Sequence, residues 1–228
     1  MKTVDFHAHI LPSADHGSNG IDMTREQLSL AKNADVDIIV ATPHFYPNMH
    51  TPNEFYDMVS TAAKQIEDAN LSRPEICLGA EVLICENMEN MEGIDKLCIR
   101  GTDILLVELP FSAWSNDLCY TVKKLSSRYT LVLAHVDRYI EAEPDKIASF
   151  IRDGALAQIN ASSLFYHSVK KKISPLVKEG AVCAIGSDLH KIDKKAYAQF
   201  KKSQKKLGED YLKIMERSAQ LLDNAEKF

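Results

Sequence analysis

Short apolar runs alternate with amphipathic stretches along this chain. The runs are Thr3–His7, Asp37–Thr42, Ile76–Leu83, Ile104–Glu108, Thr130–Ala134, Leu156–Ile159 and Val182–Ile185, rich in Val, Ile, Leu, Ala and Cys. Runs that stay apolar over this length predict strands buried on both faces, as in a parallel sheet. Between them the spacing turns helical. Phe55, Met58, Val59, Ala62, Ile66 and Ala69 repeat at helical intervals and make a single apolar face. Thr24 and Gln27 have capping-box spacing and predict the opening of the first helix. Ile147, Phe150 and Ile151 form another stripe, which Gly154 can close in the left-handed conformation; Gly180 plays the same part after Leu176 and Val177.

Strand–helix alternation without internal repeats or long linkers predicts the α/β class, organised as one domain over residues 1–228. Seven such units favour a seven-stranded (β/α)7, TIM-like barrel over an open sheet. In either arrangement the functional side chains belong just past the carboxyl ends of the strands.

The strand ends carry the chemistry. The first run leads into His7 and His9, followed by His16; the second leads into Thr42-Pro43-His44. The third holds Glu81, and the fourth ends in Glu108. The fifth leads into His135 and Arg138, the sixth into Asn160, and the last into Asp188 and His190. Of the chain's 8 histidines only His50 and His167 fall elsewhere. One buried imidazole is usually a satisfied structural group. His7, His9, His16, His44, Glu81, Glu108, His135, Asp188 and His190 together are too many polar donors to converge on a barrel mouth unless paired or metal-bound. Imidazole and carboxylate without thiolate suit manganese, iron or zinc. The donors exceed the needs of one ion, so two to three divalent ions are expected, a set suited to phosphoester hydrolysis.

Composition narrows the alternatives. A net charge of −5 argues against a general nucleic-acid binder. No stretch reaches the roughly 18 apolar residues of a membrane span, and MKTVDFHAH lacks a signal-peptide core, so a cytoplasmic protein without membrane insertion is expected. The 5 cysteines are odd in number and form no CxxC pair, as expected of reduced, buried thiols. Cysteine-based phosphatase chemistry needs an arginine six positions after the thiolate; the residues there are Leu83, Met91, Ile104, Leu125 and Leu189. Lys170, Lys171 and Lys172 form one run, and more lysines crowd the stretch from Lys191 to Lys206. They read as solvated helix faces, or as a positive rim that steers an anionic substrate.

In order, HAH, TPH, GAE, VELP, LAHVDRY, QINASS and SDLH resemble the PHP (polymerase and histidinol phosphatase) superfamily over about residues 3 to 190. Within it the chain is most similar to the bacterial manganese-dependent protein-tyrosine phosphatases of capsule and exopolysaccharide loci. The resemblance implies a distorted barrel with a trinuclear site, manganese first and iron or zinc as alternatives. His7, His9, Glu81 and Asp188 would hold one ion; Glu81 would bridge to a second with Glu108 and His135; His16, His44 and His190 would hold the third. Arg138 would contact phosphate, with Asp15 or His135 assisting proton transfer and a metal-bridging hydroxide attacking phosphorus. The implied partner is a phosphotyrosine protein, a bacterial tyrosine kinase of capsule or exopolysaccharide synthesis. Three positions depart from that pattern. His16 stands where a carboxylate is usual, Asp137 replaces a glutamate, and Lys195 is the nearest match to a second phosphate-binding arginine.

Phe45 and Tyr46 either stack on a substrate ring or pack a loop; Trp114 is rim or substrate contact; Asn160 and Ser162 satisfy loop backbone or line the pocket. Competing activities are a small-metabolite phosphatase of the histidinol-phosphate kind, a phosphodiesterase, and a non-catalytic metal-binding module. An amidohydrolase would place lysine at the fourth strand end, where this chain has Glu108.

Overall fold

Every ladder between strands is parallel in the computed structural model, which describes residues 2–228. In chain order the strands are β1 (Val4–Ala8), β2 (Ile38–Ala41), β3 (His44–Phe45), β4 (Glu75–Leu78), β5 (Glu81–Leu83), β6 (Ile104–Glu108), β7 (Thr130–Leu133), β8 (Leu156–Asn160) and β9 (Val182–Gly186). They form a three-stranded sheet, β1-β2-β4, and a six-stranded sheet, β3-β5-β6-β7-β8-β9. The helices are α1 (Ile21–Asn33), α2 (Pro52–Asp68), α3 (Asn116–Ser126), α4 (Pro144–Arg152), α5 (His167–Lys178), α6 (Lys194–Leu207) and α7 (Glu209–Leu221).

The expected seven strands in one closed ladder are not what forms. One apolar run, Ile76–Leu83, breaks in two, and an extra short strand follows the run Asp37–Thr42. Pro43, which has no amide hydrogen for a ladder, separates β2 from β3, and Gly79-Ala80 separates β4 from β5. After the breaks His44 pairs with Glu81 on the second sheet, while Gly79 N–H to Ala41 O (2.9 Å) and Glu81 N–H to Pro43 O (3.0 Å) keep the chains adjacent. At the other side β9 runs back beside β1. The His9 amide donates to Leu189 O and the Asp188 amide to His7 O, both at 2.9 Å, but only the single bridge Ala8–Leu189 links the two there. The sheets meet at this seam without a continuous ladder.

The helices follow the apolar stripes, with one displaced cap. α1 starts at Ile21, before Thr24, and has no side-chain cap. Thr24 and Gln27 are buried and brace the loop after β1: Thr24 Oγ1 donates to Ile10 O at 2.7 Å and Gln27 Nε2 to His9 O at 3.3 Å. The capping box sits instead on α2, where Thr51 and Glu54 bond reciprocally ahead of Pro52. Gly154 and Gly180 have φ of 101° and 74° just past α4 and α5, as expected of closing glycines.

Trp114 is neither rim nor exposed contact. It is buried against Phe150 and Tyr139, its indole N–H donating to Pro110 O at 2.8 Å. The cysteines are free; Cys77, Cys98 and Cys183 are buried and Cys85 and Cys119 half-buried, and burial raises the Cys98 and Cys183 thiols to about 12. Among the described residues no helix is long and apolar enough to cross a membrane.

Candidate metal centre

The carboxyl ends of the strands bring the titratable residues to one place. His7, inside β1, and His9, just after it, are two positions apart and so project to one side. Their Nε2 atoms lie 3.1 Å apart. The β3–β5 pairing sets His44 beside Glu81, and Glu108 ends the adjoining β6. His135 and Asp188 occupy left-handed backbone (φ 32° and 54°) directly after β7 and β9, so the chain turns sharply as each side chain enters the site.

Glu81 is the hub. It is 1% exposed. Its Oε2 lies 3.2 Å from His7 Nε2, 3.2 Å from His9 Nε2 and 3.0 Å from His44 Nδ1; its Oε1 lies 2.6 Å from His135 Nε2. Four compact donor groups result: His9/His44/His190, His7/His9/Asp188, His7/Glu81/His135 and His44/Glu81/Glu108, each with ligand atoms within 4.8 Å of one another. His16 stands outside these groups. Its exposed ring stacks on His44 and His190, at 4.8 and 4.7 Å between centroids. His50 and His167 take no part in them.

A surrounding layer orients the donors. Asp15 Oδ2 accepts from His9 Nδ1 at 2.6 Å and from the His44 amide at 3.0 Å, while its Oδ1 accepts from the Gly17 amide at 2.8 Å. Asp15 is thus committed to positioning His9, and its bonds to His9 hold it ionised despite burial. Gln158 Oε1 accepts from the His135 amide at 2.6 Å and faces His7 Nδ1 at 3.3 Å. His190 Nδ1 faces Asp188 O at 3.1 Å. In each of His7, His9 and His190 this engages Nδ1 and leaves Nε2 to point inward. Asn160 Nδ2 donates to Asp188 Oδ2 at 2.9 Å, so it braces a site carboxylate rather than loop backbone. Asp5, fully buried, takes the Ser187 amide at 2.8 Å and the Tyr197 hydroxyl at 2.9 Å, tying β1 to the chain after β9.

Asp5 and Gln158 escaped the sequence reading although both carry a signal. Each is a polar residue in the middle of a mostly apolar strand, and a buried polar group needs a partner.

The protonation preferences within the cluster are pushed apart. Burial raises Glu108 to about 7, and the neighbouring Glu81 adds to it. Burial also opposes ionisation of Glu81, but the His7 charge, the bond from His135 and the His9 imidazole close by win and keep it well below the usual carboxylate range. Burial alone would lower His9, yet its bond to Asp15 and the Glu81 charge beside it raise it to about 10. Burial lowers His44 to about 3 and His190 to about 4, the charge on His9 assisting.

The donor set fits divalent cations. Four buried ligand-type atoms, His44 Nδ1, Glu81 Oε2, His135 Nδ1 and Asp188 Oδ1, have no hydrogen-bond partner. Glu81 Oε2 has three imidazole nitrogens within reach, but none is aligned for a hydrogen bond. Such groups cost roughly 1–3 kcal/mol each when left unmet. Nitrogens and oxygens facing a shared space, with no thiol among them, match harder divalent ions.

Two cavities open onto this cluster. One, about 600 Å³, is lined by His16, His44, Tyr46, Glu108, Pro110 and Phe111, with Arg138, Asp188 and His190 at its base. Tyr46 stacks on His44 at 5.2 Å, and Phe111 is 79% exposed at the rim. Phe45 does not face this space; it is fully buried, edge-on to Phe55 at 5.4 Å. Phe111 went unnoticed in the sequence because nothing in VELPF announces an exposed ring. The second cavity, about 500 Å³, runs between α5 and α6. Arg138 borders both; it pairs with Asp188 and lies 3.6 Å from Glu108 and 3.3 Å from His135 Nε2. Lys195 is exposed on the first turn of α6, and Lys191 lines the second cavity.

A parallel α/β fold that gathers imidazole and carboxylate donors beyond its strand ends is the build of a metalloenzyme. The chain belongs to the CpsB/CapC family of capsular polysaccharide synthesis, whose model matches residues 3–227. It is 29% identical over 206 residues to a Staphylococcus aureus protein assigned as the tyrosine-protein phosphatase CapC, a match spanning 85% of this chain and 79% of that one. The structure resembles those of YwqE from Bacillus subtilis and CpsB from Streptococcus pneumoniae, described as metal-dependent tyrosine phosphatases. The TM-score is 0.80 at 22% identity, with 99% of this chain and 96% of that chain covered. Histidinol phosphate phosphatase from Lactococcus lactis shares the fold at a TM-score of 0.57 and 14% identity, over 91% of this chain and 94% of that one.

Proposed function

We propose that the chain is a metal-dependent phosphomonoester hydrolase, a protein-tyrosine phosphatase acting in the cytoplasm on a tyrosine kinase of capsular or exopolysaccharide synthesis. The observation that carries the reading is Glu81, ringed by four imidazoles beneath a cavity whose rim is aromatic. Its two sheets are read as parts of one distorted (β/α)7 barrel, with β3 and β5 continuing β2 and β4. One domain over the chain's length carries the activity.

His7, His9, Glu81 and Asp188 are assigned to one ion, Glu81, Glu108 and His135 to a second, and His44 and His190 to a third that His16 completes from the exposed side. Two to three ions are proposed, manganese first, with iron or zinc as alternatives. When bound, they supply Lewis acidity and an activated water for attack on phosphorus. The remaining work falls to the chain itself. Asp15, Gln158 and Asn160 hold His9, His7 and Asp188 in place. Arg138 swings from its carboxylate partners to the phosphoryl oxygens, whose growing charge its guanidinium binds in two-pronged fashion. Tyr46 and Phe111 flank the phenyl ring. A departing phenolate, with a pKa near 10, needs less protonation than an alkoxide.

The protein loaded with manganese is expected to release phosphate from a phosphotyrosine peptide faster than from histidinol phosphate or a phosphodiester, and to stop on chelation. His135→Ala and Asp188→Ala are expected to abolish turnover while circular dichroism stays native. Full activity after thorough metal stripping would overturn the mechanism, and a preference for histidinol phosphate would overturn the substrate.

A further inference from the structure

The second cavity shares Arg138, Asp188 and His190 with the first and extends from them to residues of α5 and α6. One wall is Ser162, Tyr166 and Val169, at and before the start of α5; the other is Lys191, Ala196 and Gln199, at the start of α6. Its floor includes Arg138, Asp188 and His190. It is a groove about 500 Å³ in size whose lining runs from residues of both helices to the site, and Phe111 is not part of it.

Those helices are the most one-sidedly charged part of the molecule. α5 reads HSVKKKISPLVK and α6 reads KKAYAQFKKSQKKL, with lysines in both and no acidic residue in either. The chain as a whole is at −5. On α6, Lys195, Lys202 and Lys206 share the stripe of groove-lining Gln199, at helical offsets of four, three and seven. All three are exposed. Lys206 Nζ lies 4.8 Å over the Phe165 ring, and Lys170 Nζ donates to Lys206 O at 2.9 Å, so α5 and the end of α6 form one surface. Two of the helical lysines have carboxylate partners, Lys172 with Glu141 and Lys201 with Asp35. The acids lining the groove are already engaged. Asp193 caps α6 through the Lys195 amide, Asp188 pairs with Arg138, and Asp137 accepts the Asn160 amide. The exposed Tyr166 ring at the mouth offers an apolar contact beside the charge.

We infer that the α5–α6 groove is a docking track for an acidic peptide segment adjoining the target phosphotyrosine, its carboxylates met by Lys202, Lys206 and their neighbours. An extended chain spans about 3.3 Å per residue, so a segment of a few residues in the groove delivers the next side chain to the ions. Opposed charge concentrates such a segment at the site and speeds its encounter, most of all at low ionic strength. Hydrolysis after docking rests on the phosphatase reading, but docking itself is measurable without turnover.

The test uses the whole chain and its variant Lys202→Glu/Lys206→Glu, both side chains being exposed and outside the donor groups. Fluorescence anisotropy with an unphosphorylated Glu-rich peptide reads docking alone. Binding is expected to weaken about tenfold in the variant and with added salt, while a neutral peptide of equal length shows no difference. Turnover of a phosphotyrosine peptide flanked by glutamates is expected to lose about tenfold in kcat/KM, whereas p-nitrophenyl phosphate is hydrolysed at the wild-type rate. Equal binding of the acidic peptide to both proteins overturns the inference. So does lysine-dependent sedimentation with phosphatidylserine vesicles when the peptide does not bind, since the surface would then serve a lipid. Docking without hydrolysis of any phosphoester would instead overturn the phosphatase reading and leave the track intact.

Discussion

His9 shows how one residue carries both structure and chemistry. Asp15 fixes its Nδ1 at 2.6 Å, and Gly17 packs so closely that a Cβ there would stand 2.4 Å from the Cβ of His9. Asp15→Asn keeps the shape but weakens the hold on the ring. Metal affinity is expected to fall about 10- to 100-fold, read by titration calorimetry. The same residue sets a pH dependence. In the metal-free chain His9 is held protonated up to about 10, while an imidazole ligand must give up that proton. Binding near neutral pH therefore releases protons, and affinity rises with pH. His44 and His190, already neutral above about 3 and about 4, add nothing to that slope near neutrality. Calorimetry in buffers of different ionisation enthalpy checks the release; heats identical in all buffers would contradict it. At the rim, Phe111→Ala removes one side of the proposed ring contact. It is expected to cut the preference for aryl over alkyl phosphates about fivefold, mostly through KM.

At the scale of elements, the reciprocal Thr51–Glu54 cap fixes where α2 begins. Thr51→Ala is expected to cost about 1 kcal/mol in chemical denaturation and leave kcat unchanged, because α2 bears none of the site residues. Why the sequence announced some elements and not others is explained by the range of the interactions involved. Runs such as Ile104–Glu108 and Val182–Ile185 declare themselves, because a strand covered on both faces must be apolar throughout. Their ends declared the donors for the same reason: a histidine or carboxylate there has no apolar neighbour to match. The splits after Ala41 and Leu78 are different in kind. Pro43 and Gly79 mark where they fall, but crossing there to the second sheet depends on pairing with β5 and β6, which periodicity does not encode. Thr24 and Gln27 have the right spacing for a cap, yet tertiary contacts to Ile10 and His9 claim both side chains. Asp15 reads as a candidate proton carrier in sequence, whereas its 2.6 Å contact with His9 suits it to positioning that ring.

At the scale of the molecule, the cluster stores a mismatch that ions relieve. Buried acceptors without partners and like charges held together make the metal-free protein less stable than its burial alone would give. Ions that bind the folded chain stabilise it by mass action, about 2.7 kcal/mol per site at a hundredfold excess over Kd. For a chain of this size the melting temperature is then expected to rise by about 5–10 °C with manganese, and to return on chelation. A melting temperature indifferent to both would argue against any buried ion.

The seam between β1 and β9 also has a meaning in time. Asp5 waits for the amide of Ser187, 182 positions later, and the ligands on either side of that contact wait with it. The ribosome adds about 5–20 residues per second, so the opening histidines exist for on the order of ten seconds before their counterparts emerge. A nascent chain stopped before β9 holds HAH but lacks Asp188 and His190. The two donor groups that draw on Asp188 or His190 are therefore completed last, well after the two that end at Glu108 and His135.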